Sequence, residues 1–398
     1  MKILITHRYF WPDTVNCGQI LWNLTKHLSS EGHSVEVITS LPSYNLNSLK
    51  INAKKIENLK NIKIRRIDLS TEKRSPTKKL INAIKLGIWT NYLAIRNNYD
   101  VIIATSIPPI TGGFFGALSS YFTRSKFIYF CMDLHPEIGK ISKDFSNPLL
   151  FGLLKIIDNW SCSKASPVIV HSSDMKKSLI SRKKKNHFRI KIINNFSIPD
   201  NGFKKIESKI KSMTEKNNLK IIFAGNIGRF QALEKIIDAM VLLKNRKDIK
   251  LTIVGEGSIK KELSKKVKRT NANVKIYDRQ PIHVVKNMIK KADIGLVSLN
   301  SNVYKYGYPG KIMTYLEQGK PIISVLEKKS EIAKLMLLEN YGFCISTLEP
   351  EKISQHLITI LENKSWKKKM SINAIAAHKK YFTKEKIFNQ WSEVLSSK

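Results

Sequence analysis

The residues best placed to do chemistry stand where apolar runs stop. Lys311 follows Pro309-Gly310 at the start of a helical pattern that ends at Gly319-Lys320-Pro321. An anion at Gly310 would meet unpaired helix N-terminal amides, the positive end of the helix dipole and the Lys311 ammonium, so a phosphate-bearing ligand would suit it. Proline at the start and glycine at the end also describe an ordinary capped helix, and the segment alone leaves both readings open. Phe223-Ala-Gly225-Asn226-Ile-Gly228-Arg229, with Gln231 close behind, lies between a strand pattern and a helix pattern. Glycines there let the backbone approach a phosphate, and the following helix offers its N-terminus. Val254-Gly255-Glu256-Gly257 repeats the arrangement after the next strand. Asp133-Leu-His135-Pro-Glu137 follows another apolar run and supplies three ionisable groups within five residues. A carboxylate at a strand end can orient a hydroxyl or act as a base. Asp133 can equally cap the helix that follows, and His135 can pack in a wall. His7 and His171, also at strand ends, read more readily as structural.

Strands and helices must alternate to hold these groups. Strands are expected at Lys2–Thr6, Ser34–Thr39, Ile62–Ile67, Val101–Thr105, Phe127–Met132 and Pro167–His171, with an early helix over Gly18–Ser29. The pattern then restarts. Strands are expected at Lys220–Ala224, Lys250–Val254, Val274–Tyr277, Ile294–Ser298 and Pro321–Val325. Helices are expected at Leu233–Leu243, Ser258–Val267, Ile282–Lys290 and Lys311–Gln318. Short β-branched strands separated by helices imply parallel sheets covered on both faces, an α/β class. The reading is two doubly wound, Rossmann-like domains over residues 1–200 and 201–380, with ligands at the strand C-termini facing a central cleft. The polar, Lys-rich stretch Asn201–Asn217 is expected to link them. Residues 381–398 form an amphipathic closing helix expected to pack back on the first domain. Ile81–Ile95 and Pro108–Tyr121 carry many large apolar residues. They read either as helices packed on the sheet or as a face that dips into a lipid interface, a use that Lys78, Lys79 and Lys85 would suit.

The net charge of +38 on 398 residues needs a partner or a compositional cause. Residues 1–200 carry 30 basic and 13 acidic groups, an excess of +17; the remainder carry 39 and 18, an excess of +21. Nucleic-acid binding expects a concentrated patch with aromatic stacking partners, and this spread argues against it. The runs Arg182–Lys185 and Lys260–Arg269 read as solvated helix faces. A broad positive field suits loose attachment to an anionic membrane surface. No stretch has 18 or more apolar residues without charges, so none is expected to span a bilayer. Cys17, Cys131, Cys162 and Cys344 have no metal-ligand spacing, which suits a reduced, cytoplasmic protein. The opening run Met1–Thr6 reads as a first strand rather than a signal peptide.

The order and spacing of these turns resemble the C-terminal donor domain of retaining GT-B glycosyltransferases of the large family-4 group. The branch that builds bacterial capsule, O-antigen and colanic acid, including fucosyl- and N-acetylfucosaminyl-like transferases, is the most similar. His7-Arg-Tyr-Phe-Trp-Pro12 and Gly18 resemble the first-strand loop that faces the donor phosphates. Glu31-Gly-His-Ser-Val-Glu-Val37 resembles the turn into the second strand. Asp133–Glu137 resembles an Asp-Leu-Trp/His-Pro-Glu signature of the branch, and Asn194-Asn195-Phe196 the asparagine before the domain link.

The resemblance implies an acceptor-binding first domain and a second domain that binds a nucleotide-diphosphate sugar, UDP- or GDP-linked. The acceptor would be a polyprenyl-diphosphate-linked or other glycan at the inner face of the cytoplasmic membrane. It implies a metal-independent reaction with no cofactor and no nucleic acid. Gly18, Gly225, Asn226, Gly228, Arg229, Gln231, Gly310 and Lys311 would bind the diphosphate; Gly255, Thr314 and Glu331 would face the nucleoside and sugar. Asp133, His135 and Glu137 would be the catalytic candidates on the acceptor side. Two departures stand out. Asn226 and Gln231 occupy positions where most of the wider family has Arg and Lys. Tyr306 and Thr314 replace a Glu-x7-Glu pair whose second Glu binds the ribose, leaving Thr314 or Glu331 for that contact. Glu317, one turn further on, is expected to be solvated. The alternatives are a nucleotide-sugar 2-epimerase on the same scaffold and a degenerate, non-catalytic partner in a polysaccharide assembly complex.

Overall fold

The computed structural model describes residues 1–13, 15–42, 53–70, 72, 75–142, 144–182, 188–199, 218–363 and 365–397. The expected link at 201–217 and most of the basic run at 182–185 lie outside the described residues. The chain divides into two compact units. Unit 1 comprises Met1–Asn195, Lys305–Tyr308 and Glu385–Lys398, and unit 2 comprises Phe196–Tyr304 and Pro309–Lys384.

Unit 1 runs β1 (Lys2–Thr6), α1 (Asn16–Ser30), β2 (Ser34–Ser40), β3 (Ile56–Leu59), β4 (Ile62–Ile67), α2 (Pro76–Asn97), β5 (Val101–Thr105) and α3 (Thr111–Thr123). It continues with β6 (Lys126–Phe130), α4 (Glu137–Ile141), α5 (Pro148–Lys164), β7 (Val168–Val170), α6 (Ser173–Ile180) and β8 (Ile190–Ile192). The sheet order is β3-β4-β2-β1-β5-β6-β7-β8. All pairings are parallel except β3 with β4 at one edge. The strand order reverses between β1 and β5, and the loops after these strands form the crevice where such sheets hold ligands. β5 is buried at every position, which is why it reads as a continuous β-branched run rather than an alternating one.

Unit 2 runs β9 (Leu219–Ala224), α7 (Leu233–Leu242), β10 (Ile249–Val254), α8 (Lys260–Thr270), β11 (Val274–Tyr277), α9 (Ile282–Lys291) and β12 (Ile294–Ser298). It continues with α10 (Lys311–Glu317), β13 (Ile322–Val325), α11 (Glu331–Leu338), β14 (Gly342–Ile345), α12 (Pro350–Glu362) and α13 (Trp366–Tyr381). Its sheet order is β11-β10-β9-β12-β13-β14, parallel throughout, with the reversal between β9 and β12. Phe223, Leu251, Ile253 and Leu296 lie in one buried cluster with Leu233, Ile237 and Leu357. Burying each such side chain is worth about 1.5–3 kcal/mol, which fixes the strand ends that carry the glycine turns. The last helix, α14 (Lys384–Ser396), belongs to unit 1 from Glu385 on. There Trp391 meets Phe130 edge-on at 5.0 Å and Phe388 stacks on His27 at 4.5 Å.

Candidate active site

In unit 2 the turns after β9 and β10 are locked together. The register pairs Ala224 with Val254 and Val254 with Tyr277, so Gly225 and Gly255 leave their strands side by side. Gly225 N–H donates to the Val254 carbonyl at 3.0 Å, and Gly255 N–H to the Tyr277 carbonyl at 3.1 Å. Gly255 has φ +154°, and a Cβ there would lie 1.8 Å from the Gly225 carbonyl oxygen. Gly257 is held in the same way against the Ile227 carbonyl. These glycines therefore let one turn press on the other, a structural reason the sequence pattern did not reveal. Gly225 and Asn226 are exposed at the rim, while Gly228 is buried and leads into a 3-10 turn over Arg229–Gln231. The exposed Arg229 offers its carbonyl to the Asn300 side-chain amide at 2.7 Å, tying this turn to the end of β12.

Lys311 reaches this same place from α10. Its Nζ donates to Gln231 Oε1 at 2.6 Å and sits 3.6 Å above the centre of the Phe223 ring. The Lys311 stem runs beside Gly225, within 3.3 Å of where a Cβ would be. Among the described residues no carboxylate pairs with it. Burial therefore drives its ammonium well below the usual lysine range. Gln231 is itself buried and supplies a neutral oxygen where a second cation would repel Lys311. Thr314 is one turn after Lys311 and shares its face, half-exposed. α10 is only seven residues long and Gly310 makes no side-chain cap, so the cation rather than the helix dipole is the main source of positive charge here. Glu331 opens α11 next to Ser330, whose hydroxyl caps the helix by accepting from Ala333 N–H at 3.2 Å.

Glu317 is not solvated. It is half-buried and accepts from Lys286 Nζ at 2.9 Å and from the Ser197 hydroxyl at 2.7 Å, and the Lys286 charge holds its carboxyl below the usual range against the opposing effect of burial. Its role is to fix the C-terminal end of α10.

In unit 1 Asp133 lies three residues beyond the end of β6, which stops at Phe130 rather than Met132. The Ser106 hydroxyl after β5 accepts from both Met132 N–H and Asp133 N–H, at 3.1 and 3.2 Å. On the other side Asp133 bridges Gly307, and Leu134 N–H donates to the Tyr306 carbonyl at 2.7 Å. A Cβ on Gly307 would lie 2.6 Å from Asp133 Oδ1, so glycine makes the room for this carboxylate. No hydrogen bond or ion pair among the described residues reaches the Asp133 carboxylate, and burial pushes its carboxyl up to about 7. Asp133 does not cap α4, which begins at Glu137.

Its two sequence neighbours differ. His135 leaves Nδ1 buried without a partner, and burial, helped by the Arg182 charge, lowers its imidazole to about 4. It is a neutral ring. Glu137 is bound at both oxygens by Arg182, at 2.9 and 2.5 Å. Arg182 also donates to Asp158 at 2.5 Å and to the His135 carbonyl at 2.6 Å. Asp158 in turn accepts from the Tyr129 hydroxyl at 2.8 Å. A carboxylate engaged on both oxygens is occupied in holding the loop, which departs from the catalytic expectation for Glu137. Gly18 falls in the first turn of α1, buried, with the Tyr9 carbonyl 3.0 Å from a would-be Cβ. It lets that helix approach the loop after β1.

His7 is a group the sequence underrates. It is fully buried at the end of β1, with Nδ1 2.6 Å from the Thr105 hydroxyl. That hydroxyl donates to the Ile107 carbonyl at 3.0 Å, so His7 Nδ1 is the donor and Nε2 keeps its lone pair without a partner. Burial lowers this imidazole to about 3. His171 is structural as expected: Nδ1 faces the Ile193 carbonyl at 3.0 Å and Nε2 the Asn195 amide at 3.2 Å.

A family model described as glycosyl transferases group 1 matches residues 218–363, the part of the chain that carries the Lys311 site. The probable glycosyltransferase WbjE of Pseudomonas aeruginosa is 24% identical over 271 residues, 66% of this chain and 66% of that protein. The match thus spans about two thirds of that relative's length. The structure of sucrose-phosphate synthase from Thermosynechococcus elongatus superposes with a TM-score of 0.77 at 13% identity, covering 99% of this chain and 98% of that one. Anabaena HepE in complex with UDP-glucose superposes with a TM-score of 0.71 at 18% identity over 100% of both chains. The architecture is GT-B. The family model and the relatives support a glycosyltransferase built on it.

Proposed function

We propose that the chain is a retaining glycosyltransferase of the family-4 type, which moves a sugar from a nucleotide-diphosphate donor to a lipid-linked glycan acceptor in cell-surface polysaccharide synthesis. The observation that carries this reading is Lys311, a partly buried cation that pairs with no carboxylate among the described residues, aimed at two interlocked glycine turns. Such a cation is costly unless an anion completes it, and a donor diphosphate supplies one. HepE, solved with UDP-glucose, shares the fold, and this supports a uridine nucleotide in the donor of this chain.

Reaction breaks the bond from the anomeric carbon to the β-phosphate oxygen and forms one to the acceptor oxygen. Negative charge grows on the leaving phosphate, where Lys311 and Arg229 stabilise it without a metal ion. Attack comes from the face the phosphate leaves, which retains configuration, and the departing phosphate takes the acceptor proton. Asp133, ionised above about pH 7, accepts the hydrogen bond of the acceptor hydroxyl and orients it. His135 offers a neutral ring nitrogen to the same sugar. Glu137 positions this loop through Arg182, and Gly255 shapes the donor turn. Thr314 and Glu331 are the candidates for the ribose contact. The acceptor is taken up at the anionic inner face of the cytoplasmic membrane.

The test is transfer from a panel of UDP-, GDP- and dTDP-sugars to a polyprenyl-diphosphate sugar. Transfer from one donor with retained configuration is expected. If no donor transfers, the reading is wrong. Release of a 2-epimer and free nucleotide without acceptor would favour the epimerase instead.

A further inference from the structure

Three neighbouring helices of unit 1 are inside out. α2 buries Asn82, Ala83, Gly87, Thr90 and Ala94 alongside Leu86 and Leu93. It exposes Ile81, Ile84, Ile88, Trp89, Tyr92 and Ile95. α5 buries Asp158, Asn159, Ser161 and Cys162 and exposes Leu149, Leu150, Leu153 and Ile156, with Leu149 at 86% and Ile156 at 68%. α3 buries Gly113, Gly116, Ala117 and Ser119 and exposes Tyr121 and Phe122, at 66% and 60%. Helices on a water-facing surface show the opposite pattern, with large apolar residues inside.

The three helices are adjacent. A Cβ on Gly87 would lie 2.0 Å from the Phe115 ring, so α2 and α3 touch closely. Phe114 of α3 and Trp160 of α5 have ring centres 5.5 Å apart. The result is a run of exposed large apolar side chains on adjacent helices, a grouping that marks interaction surfaces.

Its charge has one sign. α2 and α3 contain no Asp or Glu, and Asp158, the one acidic residue of α5, is buried. Lys78, Lys79, Lys85 and Arg96 on α2, Lys164 on α5 and Arg124 after α3 are exposed on these helices. Arg96 lies over the Tyr92 ring at 5.9 Å and Lys164 over the Tyr121 ring at 5.9 Å, long stems lying along apolar surface with their charge outward.

We propose that the outer surface of α2, α3 and α5 docks into the headgroup boundary of an anionic lipid bilayer. Large apolar side chains flanked on the same helices by basic residues alone match acyl chains beneath a negative surface. A second copy of this chain would bring the same basic rim against itself. Among the described residues no helix is long and apolar enough to cross a membrane, so the contact is interfacial. Docking gives a physical basis for the lipid-linked acceptor proposed above, yet vesicle binding needs neither donor nor acceptor and is tested independently of transfer.

The experiment uses the full chain with phosphatidylcholine vesicles, with and without phosphatidylglycerol, some carrying brominated acyl chains. The protein should sediment with the anionic vesicles, less as salt rises but without complete release, and its tryptophan emission should be quenched by bromine. Trp89→Phe should remove most of that quenching. Ile88→Glu with Leu153→Glu should weaken vesicle binding roughly tenfold or more, because charges would enter the apolar layer, while Leu338→Glu on unit 2, where Leu338 is also exposed, should not. All these positions are exposed, and circular dichroism confirms folding. Failure to bind anionic vesicles overturns the proposal, as does unchanged binding by the Ile88→Glu/Leu153→Glu protein. Dimerisation through this face in place of vesicle binding overturns it too.

Discussion

Gln231 and Asp133 make opposite use of burial. Gln231 gives Lys311 one neutral oxygen and no charge, so the ammonium remains available to an anion. Gln231→Glu would supply the missing carboxylate and compete with the donor diphosphate. Steady-state kinetics should show the donor KM rising roughly tenfold in a protein that still folds. Among the described residues no hydrogen bond or ion pair reaches the Asp133 carboxylate, and burial raises its carboxyl from 3.8 to about 7. Wild-type kcat/KM should therefore fall on the acid side with a midpoint near 7, and Asp133→Asn should lose that limb together with about 10²-fold in rate. Stability follows the reverse sign. A raised carboxyl keeps its proton longer in the folded state than in the unfolded one, so ionising it destabilises the fold. The stability of Asp133→Asn relative to wild type should grow between pH 4 and pH 7 and be level above it, as read by urea unfolding.

Loops at this site are held by packing and by buried charge in ways that short elements alone would not provide. A Cβ on Gly255 would lie 1.8 Å from the Gly225 carbonyl oxygen, which leaves no room for a side chain. Gly255→Ala should destabilise unit 2 by about 3 kcal/mol in chemical denaturation, and a near-neutral result would show that the turns are free to separate. Arg182 ties α4, α5 and α6 through Glu137 and Asp158, its side chain 1% exposed. Arg182→Ala strands two carboxylates and should cost about 3–5 kcal/mol, less at acid pH, where the carboxylates are protonated. Helices α2, α3 and α5 show the reverse economy, since their apolar residues face out and their small or polar residues face the sheet.

For the whole chain, strands were the most legible feature. Val101–Thr105 and Ile294–Ser298 have the bounds their apolar runs imply, because a strand buried on both faces leaves no alternation to misread. The doubly wound order of both sheets followed from that alternation with helices. β8 has only three residues, and α5 has a polar buried face, so neither carries a periodic signal. At the site, the glycine turns and Lys311 were legible as residue types. Their partners were not: Gln231 lies 80 residues from Lys311, Gly307 meets Asp133 from 174 residues away, and Glu317 looks solvated until Lys286 is placed beside it. Only folding brings such pairs together. The central claim is that Lys311 awaits a donor diphosphate, and calorimetric titration of UDP and GDP into wild type and Lys311→Ala, in two buffers of different ionisation enthalpy, tests it most directly. A diphosphate beside the buried lysine raises its lowered pKa. Binding to wild type should therefore take up protons over some part of a pH series, and Lys311→Ala should bind about 10²-fold more weakly with that uptake gone. Equal affinity for both proteins, or binding without proton uptake, would contradict the account.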